Sequence, residues 1–88
     1  GVRVYWAQEA PAAMTVEEAR SFNAAAVVES DGQVVENGKV TYSYKKKSSF
    51  FGGTTISGFP TEPGTYTQTA KAAGNYSSEK ITRTIVIN

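Results

Sequence analysis

Gly64-Thr65-Tyr66-Thr67-Gln68-Thr69-Ala70-Lys71-Ala72 is the stretch that decides the fold. Side chains along a strand alternate between its two faces. Tyr66, Ala70 and Ala72 therefore share one face, and Thr67, Thr69 and Lys71 share the other. That is the period of a half-buried strand. Gln68 interrupts the apolar face. An unpaired buried amide costs about 1–3 kcal/mol, so Gln68 is either partly exposed or bonded to a buried partner.

The same period recurs on both sides of this stretch. Val40-Thr41-Tyr42-Ser43-Tyr44 sets Val40, Tyr42 and Tyr44 on one face, and Ile81 to Ile87 is rich in β-branched residues and reads as a closing strand. Ser21 to Ser30 keeps Phe22, Ala24, Ala26 and Val28 in step and reads as a strand despite its alanines, and Val2 to Tyr5 reads as a short opening strand. Asp31-Gly32 and Asn37-Gly38 are strong hairpin signals, because a type I′ turn needs positive φ at both central residues. Ala73-Gly74-Asn75 separates the last two long strands, and Pro60 to Gly64 marks a loop between strands. Thr15 and Glu18 form a capping-box pattern, so residues 15–20 read as a one- or two-turn helix or as an extended connection. Several strands separated by such turns suggest a sandwich or barrel. The expected core is Phe22, Ala24, Val28, Val40, Tyr42, Tyr44, Ile56, Tyr66, Ala70, Ile85 and Ile87.

Composition narrows the function. The 88 residues allow one domain, with one thin core and no second lobe to form a cleft. There is no cysteine and no histidine. Thiol catalysis, zinc–thiolate sites, disulfides and the usual neutral-pH base are thereby excluded. The formal net charge is +1, which gives no overall footprint for nucleic acid. No apolar run approaches the roughly 20 residues of a membrane span, and no signal peptide is visible.

Phe59-Pro60-Thr61-Glu62-Pro63-Gly64-Thr65-Tyr66-Thr67, followed by Ala72-Ala73-Gly74-Asn75-Tyr76, resembles bacterial immunoglobulin-like domains. Asp31-Gly32 and Thr41-Tyr42-Ser43-Tyr44 look like the middle strands of that family, and the likeness covers roughly residues 20 to 88. The resemblance implies an all-β, immunoglobulin-like Greek-key sandwich of about seven strands. It also implies one module, residues 1–88, of a larger tandem protein at the bacterial surface or outside the cell. The expected role is a non-catalytic spacer connected with adhesion, or an accessory domain of a secreted enzyme. Its expected partners are neighbouring domains of the same chain, with a glycan or host protein as further partner and a monomer as the default state. Gly64-x-Tyr66 looks like a tyrosine corner, in which the ring fills the core end while its hydroxyl returns to the preceding backbone. The residue two positions on is Gln68, where antibody domains carry cysteine, and the lone Trp6 lies far upstream of the antibody-type core position.

No residue set reads as catalytic, cofactor-binding or metal-binding. Glu17 and Glu18 are adjacent and diverge, whereas a glycosidase needs carboxylates facing one another. Glu29, Asp31 and Glu36 are too sparse for a calcium loop. No base stands ready to activate a serine, and Arg3 occupies the opening strand where an isopeptide-forming lysine would be needed. The candidate ligand-binding residues are Phe50 and Phe51 on the glycine-rich loop, the neighbouring run Lys45, Lys46 and Lys47, and Trp6. Exposed aromatics beside cations suit a sugar or protein partner. The plainer reading makes the lysines edge protection and the aromatics core caps or inter-module packing.

Overall fold

A computed structural model describes residues 1–35, 40–48, 53–74 and 80–88. Among these residues the chain forms seven strands and one short helix, in the order β1 (Val2–Trp6), α1 (Val16–Ser21), β2 (Ala26–Ser30), β3 (Gln33–Val34), β4 (Val40–Lys46), β5 (Thr54–Ile56), β6 (Gly64–Ala72) and β7 (Lys80–Ile87). The strands make two antiparallel sheets, β1-β2-β3 and β5-β4-β6-β7. The architecture is an all-β sandwich. The connection from β5 to β6 passes β4, because β4 pairs with both β5 and β6.

Strand β6 sits inside the larger sheet, and its alternation fixes the core. Tyr66, Gln68, Ala70 and Ala72 are buried, while Thr67 and Lys71 are exposed. β7 adds Ile85 and Ile87 to the same inner face. The core divides along the long axis. One cluster gathers Met14, Ala19, Tyr66, Ile85 and Ile87. The other gathers Val4, Val28 and Ala72, with Val2, Val40 and Ile81 against it. Burying apolar surface contributes about 25 cal/mol per Å², which favours filling both ends of so small a sandwich.

The chain before α1 bonds to both sheets. β1 pairs antiparallel with β2 from Val2↔Ser30 to Trp6↔Ala26. The chain then crosses, and Met14 makes a parallel bridge to Ile87. Its amide donates to the Val86 carbonyl and its carbonyl accepts from the Asn88 amide, both at 2.9 Å. Helix α1 follows directly. Thr15 Oγ1 accepts from the Glu18 amide and Glu18 Oε1 accepts from the Thr15 amide, which completes the capping box, with Thr15 as the extended N-cap of the helix Val16–Ser21. The helix places Ala19 in the core. Asp31 and Gly32 have φ of 53° and 83° and turn β2 into β3. The Asn37-Gly38 turn lies outside the described residues.

Two expectations are corrected. Residues 21–30 are not one strand. Ser21 ends α1, Phe22 is its C-cap, and pairing starts only at Ala26. Helix capping overrides the alternation there, and the Asn23 side chain accepts from the Ala25 amide. Phe22 still reaches the core edge, with its ring 5.8 Å from that of Phe59. Tyr42 is not a core residue, being 38 % exposed. It points inward with Tyr44, but near the sandwich edge, and its hydroxyl accepts from the Ala26 amide of the opposite sheet. Ala24, Val40 and Ile56 are half-buried, and Val28, Tyr44, Tyr66, Ala70, Ile85 and Ile87 are buried.

Candidate functional site

Three places hold the residues that carry chemistry. The first is the end of the sandwich where β6 starts. Tyr66 is 2 % exposed, and its hydroxyl donates to the Glu62 carbonyl at 2.7 Å. The Pro60–Gly64 connection is thereby tied to the strand it leads into. Gly64 lies at φ +153°, and a Cβ there would meet the Tyr66 ring and hydroxyl at 3.2 Å. Lys46 points to this side, with its ammonium 5.9 Å from the centre of the Tyr66 ring. Lys46, Phe59, Glu62 and Tyr66 line a shallow depression here.

The second place is internal. Gln68 is fully buried. Its amide nitrogen donates to the Ala24 carbonyl at 3.0 Å and to the Tyr44 hydroxyl at 3.4 Å. Its carbonyl accepts from Arg83 Nε at 2.8 Å. Arg83 faces inward because it pairs with Gln68 across β6 and β7. Its Nη1 donates to the Gln8 carbonyl at 2.8 Å. The guanidinium lies 3.9 Å from the centre of the Trp6 ring and 5.4 Å from that of Phe22. Burial lowers the Arg83 pKa and raises that of Tyr44; arginine nevertheless stays charged in proteins. Arg83 Nη2 is buried without a partner. This cluster joins the two sheets: Gln68 and Arg83 belong to the larger one, Trp6 to the smaller, and Ala24 to the segment that leads into the smaller.

The third place is the outer face of the larger sheet. The register aligns its outward residues in rows. Thr55, Lys45, Thr67 and Thr84 form one row across β5, β4, β6 and β7. Ser43, Thr69 and Thr82 form the next, and Thr41, Lys71 and Lys80 the next. Beyond the first row lie Lys47, Thr65 and Val86, with the Lys47 amide donating to the Thr65 carbonyl at 2.8 Å. The face holds lysines, hydroxyls and one valine. Strands β4 to β7 contain no aspartate or glutamate. The described carboxylates are Glu9, Glu17, Glu18, Glu29, Asp31 and Glu62, all outside those strands. Among the described residues, this face carries lysines and none of these carboxylates.

The sequence-predicted ligand residues separate under this geometry. Strand alternation divides the lysine run. Lys45 and Lys47 stand on the outer face beside Thr65, Thr67 and Thr84, whereas Lys46 turns to the opposite side over Tyr66. Trp6 belongs to neither group, since one face of its ring is covered by Arg83 in the interior. Phe50 and Phe51 lie outside the described residues. Among the acids, Asp31 binds the N-terminal ammonium, which lowers its pKa, and Glu29 pairs with Arg3. Glu36 lies outside the described residues. No group of three acidic residues that could hold a metal occurs among the described residues. Among them, too, no helix is long and apolar enough to cross a membrane.

Sequence reading missed Arg83, Lys71 and Lys80. Thr82-Arg83-Thr84 within an apolar strand was the available signal for Arg83, because alternation puts Arg83 on the face of Ile81 and Ile85. The pairing of Lys71 with Lys80 needed the register of β6 on β7.

No family model matches the chain, and no curated protein or solved structure matches it.

Proposed function

We propose that this chain is an immunoglobulin-like Greek-key module with a non-catalytic, structural role: a spacer in a bacterial protein displayed at the cell surface or secreted. One observation carries this reading. The first and last strands leave the sandwich at opposite ends. Val2 packs in the cluster at the end of β6 that holds Ala72, and Ile87 packs in the cluster at the end that holds Tyr66. From Gly64 to Ala72 is about 27 Å of strand. Modules joined through such ends line up rather than fold back. The crossing of β4 by the β5–β6 connection and the Tyr66–Glu62 bond, in the manner of a tyrosine corner, support the immunoglobulin-like topology. Fold alone assigns no function, so the role rests on the placement of the ends.

The experiment is small-angle scattering of a fusion of three copies joined end to end. The long axis of one copy is 40 Å. The maximum dimension should grow by nearly that length with each added copy. A compact cluster whose length hardly grows would overturn the spacer reading. A second reading, an adhesion module that grips a glycan or host protein, draws support from Lys45 and Lys47, which stand side by side and exposed.

A further inference from the structure

We infer that the outer face of the β5-β4-β6-β7 sheet is a docking surface for an acidic polysaccharide. The inference rests on the second reading above and names its ligand class and the face that takes it.

Charge complementarity is the first support. Lys45 and Lys47 mark one end of the face, and Lys71 and Lys80 the other. Among the described residues the ion pairs are Gly1 with Asp31 and Arg3 with Glu29, and none of the described carboxylates pairs with these four lysines. From Thr65 to Lys71 the face runs about 20 Å along β6, and about 10 Å across from β4 to β7. Four cations on so small an area raise the local concentration of an anionic polymer.

The residues between the lysines choose the kind of polyanion. Ser43, Thr69 and Thr82 form a continuous row of hydroxyls across three strands, and Thr67 and Thr84 lie beside it. Hydroxyl groups both donate and accept, which suits a polymer that is itself rich in hydroxyls. Single-stranded nucleic acids are held by aromatic platforms on which bases stack. The described outward residues of this face include no aromatic side chain. A lipid surface would be gripped through projecting apolar groups, and Val86 is the only apolar residue on these rows. The chemistry fits a chain of sugars bearing carboxylate or sulfate groups. The two lysine pairs would hold its charges, and the hydroxyl rows would meet the rings between.

The test is calorimetric titration of the 88-residue chain with heparin and polygalacturonate, with neutral dextran and poly(dT) as comparison polymers. Binding to one or both acidic glycans, weaker binding to poly(dT) and none to dextran are expected. With four contacts and a slope near −0.7 for each, a fourfold rise in salt should weaken binding about 50-fold. The variant Lys45→Gln/Lys47→Gln/Lys71→Gln/Lys80→Gln should lose binding. Arg3→Gln/Arg20→Gln, which removes cations elsewhere, should retain it. Amide shifts of the unsubstituted chain give a readout that needs no variant, and on adding glycan they should concentrate at Thr67, Thr69, Thr82 and Thr84. Absence of glycan binding, retention of binding by the four-lysine variant, poly(dT) bound as tightly as the glycans, or shifts elsewhere on the molecule would each overturn the inference.

Discussion

Replacing Gln68 by leucine should be among the most damaging single substitutions in this domain, and adding a second change at Arg83 should repair part of the damage. Gln68 is fully buried and bonds Ala24, Tyr44 and Arg83. Leucine keeps the volume but leaves the Ala24 carbonyl and Arg83 Nε unpaired. An unmet buried carbonyl costs about 1–3 kcal/mol, and a charged donor costs more. Arg83 Nη2 is already without a partner, so the guanidinium would keep only its bond to Gln8. The expected loss is about 3 kcal/mol, from a domain whose total is on the order of 5 kcal/mol. Arg83→Met alone should cost about 2 kcal/mol, through the orphaned Gln68 carbonyl and the lost stacking on Trp6. Replacing both partners with apolar groups of similar shape removes the polar obligation with the pair. The double variant should therefore be more stable than Gln68→Leu alone. Urea unfolding of the four proteins closes the cycle. The two penalties should fall short of additivity by about 3 kcal/mol, leaving the double variant about 2 kcal/mol below the unsubstituted domain. Strict additivity, or a Gln68→Leu cost below about 1 kcal/mol, would refute the view that this pair is one interlocked unit.

Other outcomes follow from the same geometry. Tyr66→Phe keeps the ring and loses the bond to Glu62, and should lower unfolding free energy by about 1 kcal/mol in urea titration; no change would mean that the connection is held by other contacts. Gly64→Ala adds a Cβ against the Tyr66 hydroxyl at positive φ, and should cost about 1–3 kcal/mol, with Tyr66 fluorescence altered in the folded state. Burial raises the Tyr44 pKa, so the fold favours its neutral form. That contribution is intact below the ordinary tyrosine range and is lost as pH climbs from about 10 through the raised value. Tyr44→Phe should flatten the alkaline limb of the stability profile while leaving neutral stability nearly unchanged, and an unchanged limb would count against it. Thr15→Ala removes the capping box of α1 and should cost about 1 kcal/mol by thermal melting.

Much of the architecture could be read from alternation alone. The β6 stretch carries its inside and outside in its letters, and Asp31-Gly32 announces its turn. Alternation failed between Phe22 and Ala25, where the end of a helix mimics a strand's period over a few residues. It also placed Tyr42 correctly inward and wrongly deep, because a period gives direction and not distance from the edge. The candidate site was less legible. Lys45, Lys46 and Lys47 read as one patch, but adjacent residues on a strand face opposite ways. The outer face depends on which strands are neighbours and in what register. Lys71 and Lys80 are unremarkable until β6 and β7 are laid side by side. Alternation alone puts Arg83 on the face of Ile81 and Ile85, but its partners Gln68, Gln8 and Trp6 meet it only in the folded chain.

The bridge at Met14 has a mechanical consequence. Its two hydrogen bonds to Val86 and Asn88 hold residue 14, between β1 and α1, directly against the last residues of β7, and the two segments run parallel there. A load drawing residues 1 and 88 apart acts along these bonded segments. They slide past one another, so both bonds resist together instead of opening one after the other. The few residues between β1 and α1 thus form a latch, and a sandwich with a modest core gains resistance to tension that its equilibrium stability would not suggest.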